Sequence, residues 1–315
     1  MSKPHILQMG QLPEWDETPL RNAYEVHRYF DATDKDAFLA NVGSDINAIA
    51  TRGDLGAHAD VIAACPALEI ISVYGVGYDT VDLAACAARS IAVTNTPDVL
   101  TDDCADLALG MWLALSRGIV AAEAWARAGD WAAKGGYQLQ HRACGKRAGI
   151  LGLGRIGMAV AKRLQGFDMQ IAYTARSPKS ECENWQFVRD ARDLAAQCDV
   201  LFVTLAATDE TRHIVNAAVL NALGPKGLLV NISRAQNIDE AALLDTLEQG
   251  RLRGAALDVF EGEPKLNPRF ARLDNVLLQP HHASGTFETR HAMGQLMRDN
   301  LTAHFAGRPL LTQVQ

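Results

Sequence analysis

Residues 150–157 read Ile-Leu-Gly-Leu-Gly-Arg-Ile-Gly, an apolar run that enters three closely spaced glycines and continues into a helical pattern. The first glycine permits a tight turn, the second lets a pyrophosphate approach the backbone, and the third lets the helix pack closely on the strand. Anionic oxygens accept well from the free N–H groups of a first helical turn. We therefore predict a dinucleotide phosphate site made of Gly152, Gly154, Arg155, Ile156 and Gly157.

The composition limits the class of protein. With 315 residues, of which 48% are hydrophobic, the chain is long enough for two domains with their own cores. The 30 Lys and Arg residues are outnumbered by 37 Asp and Glu residues, which gives a net charge of −7. No overall positive field draws such a chain to nucleic acid or to an anionic membrane, so neither is predicted as a partner.

The N-terminus and the cysteines predict a cytoplasmic location. The first residues contain no apolar segment with a cleavage pattern, and no run of apolar residues is long enough to span a bilayer. The six cysteines form no C-x-x-C pair, and most lie among small apolar residues, as packed, reduced thiols do. No metal site is predicted.

Short β-like runs alternate with longer helical patterns, which predicts parallel sheets covered by helices. The strand patterns of the first hundred residues lie at 5–9, 24–29, 47–51, 68–73 and 91–95, and helical patterns lie at 34–40 and 55–64. After a long apolar helix at 104–115 and the glycine motif, further strand patterns lie at 169–174, 200–205, 227–232, 254–259 and 276–279. The second group predicts a six-stranded dinucleotide domain.

The end of the strand after the glycine motif indicates which dinucleotide binds. An NAD site places Asp or Glu about 20 residues beyond the glycines, on the ribose 2′-hydroxyl. Residues 173–179 read Tyr-Thr-Ala-Arg-Ser-Pro-Lys and contain no acid. Arg176, Ser177 and Lys179 can all donate to a phosphate. Exposed cations beside a turn are common, so the missing carboxylate is the stronger reason to predict NADP(H).

Three polar groups follow three later strands. Arg234 comes after the strand that ends near Asn231, Glu263 after the next, and His281 after the last. The carboxyl ends of parallel strands share one edge of a sheet, where such folds bind ligands. Each residue alone has an ordinary structural explanation. Together they supply what ketone reduction beside a nicotinamide needs: a cation for an anionic substrate, a proton donor, and an anion that keeps the donor protonated.

Several segments in the same order along the chain resemble the D-isomer-specific 2-hydroxyacid dehydrogenase family. The resemblance covers essentially all of the sequence, and its segments are 73–82, 94–106, 149–157, 231–234, 254–264 and 280–286. It implies two Rossmann-like α/β domains. The smaller, flavodoxin-like substrate-binding domain would be discontinuous, at 1–100 and 287–315, and the doubly wound NADP-binding domain would occupy 101–286.

The resemblance also implies a role for individual residues. Arg234 would hold the carboxylate of a 2-oxoacid and polarise its carbonyl, His281 would protonate the carbonyl oxygen, and Glu263 would hydrogen-bond His281 and keep it protonated. Asp258 would hold the nicotinamide carboxamide. The loop of Gly75, Val76 and Gly77 would bind the substrate carboxylate through backbone N–H groups. Apart from the resemblance, Tyr74 and Arg52 each lie at a strand end and are predicted as further substrate-binding side chains, although a Tyr in that position is equally often a packing residue. Ala235 departs from the family, which usually has glycine there, and Cys104 replaces a common aliphatic residue.

Within the family, the missing acid after the second strand, together with residues 74–77 and 279–282, resembles the NADPH-dependent glyoxylate and hydroxypyruvate reductase branch, which overlaps reductases of bulkier 2-oxoacids such as hydroxyphenylpyruvate. Two alternatives remain open. One is an NAD-linked dehydrogenase of the D-lactate or D-3-phosphoglycerate type. The other is a nucleotide-sensing interaction protein, because the fold has relatives that act as corepressors. Family members resemble dimers, and a homodimer is predicted here, with the helix from Cys104 and the 125–131 segment as the candidate interface.

Overall fold

The computed structural model describes residues 3–314. The chain divides into two compact units. Unit 1 contains the described residues up to Leu100 together with those from Ser284 onward, and unit 2 runs from Thr101 to Ala283. Both units are parallel-sheet α/β domains, so the predicted fold class is confirmed.

Unit 1 is built on a five-stranded parallel sheet in the order β2-β1-β3-β4-β5, which is the flavodoxin-like order. Its strands are β1 (His5–Gln8), β2 (Glu25–Arg28), β3 (Ile46–Arg52), β4 (Ile70–Tyr74) and β5 (Ala92–Thr94). The helices between them are α1 (Glu14–Ala23), α2 (Lys35–Val42), α3 (Ala59–Ala64) and α4 (Leu83–Ala88).

The buried strands explain the core of unit 1. Strand β4 is buried along its whole length, and β3 is almost so. Strands covered on both faces read as continuous apolar runs, which is why the sequence pattern located them well. The predicted helix at 55–64 is wrong at its start, because α3 begins only at Ala59. Gly56 has a φ of +61°, which interrupts a helix before that point.

Unit 2 contains the glycine motif. Its strands are β6 (Arg147–Leu151), β7 (Gln170–Thr174), β8 (Gln186–Phe187), β9 (Val200–Val203), β10 (Leu228–Asn231), β11 (Gly254–Leu257) and β12 (Val276–Leu278). Its helices are α5 (Thr101–Arg117), α6 (Ile119–Arg127), α7 (Asp130–Lys134), α8 (Arg155–Gln165), α9 (Ala191–Ala195), α10 (Ala217–Leu223) and α11 (Glu240–Glu248).

The sheet of unit 2 has seven strands in the order β12-β11-β10-β9-β6-β7-β8, and every pair is parallel. The prediction of six strands was therefore wrong by one. The additional strand, β8, has only two residues and so no periodicity to detect. It is positioned by pairing with β7, and the Phe187 ring packs against the Tyr173 ring at a centroid distance of 5.6 Å.

The last helix, α12 (Phe287–Phe305), belongs to unit 1. Its side chains and carbonyls bond to the sheet: Ser72 Oγ donates to the Met297 carbonyl at 3.2 Å, and Thr289 Oγ1 donates to the Val99 carbonyl at 3.2 Å. Arg298 of α12 forms an ion pair with Asp16 of α1, whose carboxylate is fully buried. These bonds join the two ends of the sequence in one unit.

Within residues 3–314, no single helix is long and apolar enough to cross a membrane. Only α5 and α6 taken together have the required length and composition, and they are bent by 61° at their junction. The apolar face of α5 is buried in the core of unit 2, where Trp112 packs edge-on against Phe167 and Phe202.

Candidate active site

The glycine motif forms a tight turn between β6 and α8. Gly152 has a φ of +101°, which only glycine adopts easily. A Cβ at residue 157 would collide with the Gly152 carbonyl and would lie 2.8 Å from Thr204 Oγ1. A Cβ on Gly154, by contrast, would meet no atom within 4 Å. The turn is therefore closed on its inner side and open at Gly154, where α8 begins.

Two threonines that the sequence analysis missed hold this turn. Thr174, the last residue of β7, accepts from the Gly152 N–H through Oγ1 at 3.0 Å and from the Leu153 N–H through its carbonyl at 2.9 Å. Thr204 Oγ1 donates to the Gly152 carbonyl at 2.7 Å. Each threonine comes at or just after the end of a strand that neighbours β6, and that position was the available clue.

Beyond β7 the chain presents cations and no carboxylate. Arg176 and Ser177 are exposed, and Lys179 is half-buried. The Lys179 N–H donates to the hydroxyl of the buried Tyr173 at 2.9 Å, which fixes this segment against the end of β7. The next acid along the chain is Glu181, so no carboxylate directly follows the strand.

The loop that carries Arg234 is held by amide and hydroxyl side chains. Asn231 Oδ1 accepts from the Ser233 N–H at 3.0 Å and from its hydroxyl at 2.8 Å, and Asn231 Nδ2 donates to the Arg234 carbonyl at 3.2 Å. Asn237 Nδ2 donates to Ser233 Oγ at 3.1 Å. Ala235 is not among the residues with positive φ, so the loop does not need the glycine that is usual there.

His281 and Glu263 form a direct pair. His281 Nδ1 lies 2.7 Å from Glu263 Oε2, and Glu263 Oε1 accepts from the Phe260 N–H at 2.7 Å. Burial alone would raise the pKa of Glu263, but hydrogen bonds from His281 and Phe260, together with the charges of His281 and Arg234, lower it. An ionised carboxylate only accepts, so His281 Nδ1 carries a proton and donates it to this bond. The other ring nitrogen, Nε2, lies on the side of the ring away from Glu263.

Asp258 positions the loop that carries His281. Its side chain is completely buried, and its two carboxylate oxygens accept from the N–H groups of His282 at 2.7 Å and Ala283 at 2.9 Å. Burial raises the pKa of Asp258, and these two backbone bonds oppose that rise. The Asp258 carbonyl accepts from the His281 N–H at 2.8 Å. This last bond helps hold His281 at a φ of +51°, a conformation that a side-chain-bearing residue rarely adopts.

In unit 1, the loop after β4 contains backbone N–H groups that are not used within the protein. The Gly75 N–H is already used, since it donates to Thr96 Oγ1 at 3.1 Å and to the Val73 carbonyl at 3.1 Å. Asn95 Nδ2 donates to the Val76 carbonyl at 2.8 Å and fixes the loop. Among residues 3–314, the N–H groups of Val76 and Gly77 have no acceptor, and the same holds for Tyr78 and Thr80 further along the loop.

The other two predicted substrate residues of unit 1 have partners inside that unit. Tyr74 is only 4% exposed, and its hydroxyl donates to the Arg290 carbonyl of α12 at 2.9 Å. Arg52 donates from Nε to Asp54 Oδ1 at 3.0 Å and from Nη2 to Asp54 Oδ2 at 2.5 Å. Its Nη1 donates to the Gln11 carbonyl at 3.4 Å. A direct substrate role for either side chain stays a prediction.

Unit 2 thus brings Glu263 and His281 into direct contact and places the charge of Arg234 near enough to act on Glu263. The glycine turn follows β6 of the same sheet. Tyr74, Val76 and Gly77 lie in unit 1.

Comparison with known proteins covers the whole chain. A family model described as "D-isomer specific 2-hydroxyacid dehydrogenase, NAD binding domain" matches residues 109–283. A hydroxyphenylpyruvate reductase from Plectranthus scutellarioides is 45% identical to this chain over 309 residues, which are 98% of each protein. The match therefore includes unit 1 as well as the region that the family model covers.

Two solved structures share the fold closely. The first is the structure of a 2-hydroxyacid dehydrogenase from Ketogulonicigenium vulgare Y25, whose sequence is 66% identical to this chain. The match covers 100% of this chain and 99% of that protein, with a TM-score of 0.94. The second is the structure of an NADPH-dependent glyoxylate/hydroxypyruvate reductase from Sinorhizobium meliloti in complex with NADP and malonate. Its sequence is 41% identical, and the match covers 99% of this chain and 97% of that protein, with a TM-score of 0.94.

Proposed function

Because this chain belongs to the D-isomer-specific 2-hydroxyacid dehydrogenase family, we propose that it reduces small 2-oxoacids to D-2-hydroxyacids with NADPH. Glyoxylate and hydroxypyruvate are the proposed substrates, and bulkier 2-oxoacids extend the range. The observation that carries the proposal is the 2.7 Å bond between His281 Nδ1 and Glu263 Oε2. In this pair His281 is the proposed proton donor, and the Glu263 carboxylate is its counter-ion.

His281 is the proposed acid. With Nδ1–H bonded to the Glu263 carboxylate, a protonated ring carries its transferable proton at Nε2. That proton goes to the carbonyl oxygen of the substrate as the carbonyl carbon is reduced. The ring is then neutral and is still held by Glu263, so it recovers its proton from solvent through Nε2.

The anionic end of a 2-oxoacid needs fixed donors. Arg234 supplies a planar guanidinium that can bind a carboxylate with two parallel hydrogen bonds. Unit 1 supplies the open N–H groups of Val76 and Gly77. Unit 1 thus contributes backbone donors for the substrate, and unit 2 contributes Arg234.

The glycine turn of unit 2 fits a dinucleotide. Space is open at Gly154, α8 begins at the next residue, and a side chain at residue 157 would close the turn from the inside. Arg176, Ser177 and Lys179 suit a 2′-phosphate, because they offer donors and no competing carboxylate. NADP(H), when bound, supplies the hydride. Asp258 accepts hydrogen bonds from the backbone of the loop that carries His281. Holding the carboxamide of the nicotinamide would be a second role for this residue.

Mixing the protein with NADPH and glyoxylate or hydroxypyruvate, and following nicotinamide absorbance, tests the proposal. Turnover of either substrate, with the D-isomer formed from hydroxypyruvate, supports it. Oxidation of a 2-hydroxyacid with a clear preference for NAD+ would favour an NAD-linked dehydrogenase instead. Nucleotide binding without turnover of any 2-oxoacid would refute the enzyme and favour an interaction protein.

We also propose a homodimer. Large apolar side chains are exposed between α5 and β6, namely Ile119, Val120, Trp131 and Leu139. The apolar face of α5, in contrast, is used inside unit 2, so the interface would lie on the segment after it. Light scattering measures the oligomeric state. The double variant Trp131→Ala and Leu139→Ala should shift a dimer toward monomer.

A cytoplasmic location is proposed from the chemistry of the thiols. The six cysteines are all free, and only Cys144 is exposed. Free thiols are the norm in a reducing compartment. Fractionation of cells that express the protein, with its activity as the marker, checks this location.

A further inference from the structure

Three ring side chains of unit 1 form a cluster that the proposed reaction does not use. Trp15 lies in α1, and Phe287 and His291 lie one turn apart in α12. The Trp15 and His291 rings stack with centroids 4.6 Å apart, and the Trp15 and Phe287 centroids are 6.1 Å apart. We call Trp15, Phe287 and His291 the aromatic platform.

The platform is open to solvent. Trp15 is 38% exposed and Phe287 is 72% exposed. Exposed aromatic surface that is gathered in one place is unfavourable in water and commonly marks a binding site. Trp15 and His291 stack at an interplanar angle of 29°, whereas the Phe287 ring is tilted by 53° from Trp15 and is the most exposed of the platform's large apolar side chains.

The platform lies near the carboxyl edge of the sheet in unit 1, where the Val76 and Gly77 N–H groups also lie. Tyr74, the last residue of β4, bonds through its hydroxyl to Arg290, the residue before His291. Thr289 bonds to the Val99 carbonyl, shortly after β5. The first turn of α12 is therefore fixed beside the ends of β4 and β5, the edge at which parallel α/β sheets bind ligands.

The loop that leads to Trp15 is also fixed at this edge. It connects the end of β1 to α1, and Glu17 Oε1 accepts from Gln8 Nε2 at 3.0 Å and from the Leu12 N–H at 3.0 Å. Arg52, the last residue of β3, donates to the Gln11 carbonyl. A ring that binds here meets a surface that is already ordered, which reduces the entropic cost of binding.

We propose that the aromatic platform is a specificity subsite for the ring of an arylpyruvate, a 2-oxoacid whose third carbon carries an aromatic group. This inference rests on the proposed reductase function. The Tyr74 side chain spans the distance from the end of β4 to Arg290 in the first turn of α12, and hydroxyphenylpyruvate has the carbon skeleton of tyrosine. In this proposal the carboxylate binds near the Val76 and Gly77 N–H groups and the ring lies at the platform. Trp15 and Phe287 stack with the ring, and His291 offers a ring nitrogen to a ring hydroxyl.

The test compares phenylpyruvate with glyoxylate, which has no side chain, using NADPH and the full-length protein. In Trp15→Ala and Phe287→Ala, kcat/KM for phenylpyruvate should fall about 2- to 12-fold, the worth of one aromatic pair. The kcat/KM for glyoxylate should not change. Trp15→Phe should keep most of the phenylpyruvate activity. Leu311→Ala, an exposed apolar residue of the same unit outside the platform, is the matched control and should change neither.

Several outcomes would overturn the assignment. One is equal kcat/KM for phenylpyruvate in wild type and both alanine variants, and another is equal losses with both substrates. A wild type that turns over glyoxylate and not phenylpyruvate would also remove the subsite while leaving the reductase intact. No turnover of either substrate would refute the reductase itself. A change of oligomeric state in the variants with unchanged kinetics would show that a second copy covers the platform.

Discussion

Glu263→Gln tests the proton donor directly. The variant keeps the side-chain oxygen that accepts from the Phe260 N–H at 2.7 Å, so the loop should remain in place. It removes the charge that stabilises protonated His281. Because that oxygen stays on Phe260, the amide Nε2 faces His281 Nδ1 and cannot accept from it, so the variant loses a hydrogen bond to a charged group, worth about 1.5–3 kcal/mol.

Solvent screening keeps that figure near its lower end, because the side chains of His281 and Glu263 are 38% and 28% exposed. One pH unit corresponds to about 1.4 kcal/mol. We therefore expect the alkaline limb of ketone reduction to move about 1 pH unit lower. The pKa of Glu263 itself is lowered, so its carboxylate is present above that pKa and is lost as the pH falls through it, which affects only the acidic side of the profile.

The assay is kcat/KM for glyoxylate across a pH series in wild type and Glu263→Gln, with thermal unfolding as the check on folding. The expected result is an alkaline limb of the kcat/KM profile that lies at lower pH in the variant, in addition to any general decrease in rate. If the limb stays at the wild-type pH while the rate falls, Glu263 does not act through the charge of His281. That result would refute the assigned pair.

Five further variants separate the remaining roles. His281→Ala should lower kcat about 10²- to 10⁴-fold in steady-state NADPH oxidation, and a loss confined to KM would argue against an acid. Arg234→Ala should lower kcat and raise KM for the 2-oxoacid, because it acts on both ground and transition states; a changed KM for NADPH alone would contradict this. Arg176→Ala should raise KM for NADPH and leave NADH unaffected, whereas equal losses would remove it from the 2′-phosphate. Gly154→Ala should keep the wild-type Tm and weaken NADPH binding, while Gly157→Ala should lower Tm, because only the second Cβ collides with the protein.

Local patterns in the sequence were enough to predict much of this protein. Buried parallel strands are continuous apolar runs between glycines and polar turns, so strands such as β4 and β9 can be located from the sequence alone. The spacing of the glycines in the motif predicts a tight turn, and the absence of an acid after β7 can be read directly from the sequence. Both depend on residues close together in the chain.

Hydrogen bonds and strand pairs between residues far apart in sequence could be found only in the tertiary structure. No local pattern shows that Asp258 bonds the His281 loop, that the Tyr74 hydroxyl is committed to α12, or that the Gly75 N–H is already used while its neighbours are open. Strand β8 is too short to have a period and exists because β7 pairs with it. The sequence by itself determined the parallel α/β class and the dinucleotide turn, since residue type and short-range spacing carry that information. Only the folded chain decided which backbone donors are already used and which ring nitrogen of His281 bonds to Glu263, since contacts between residues far apart in sequence set them.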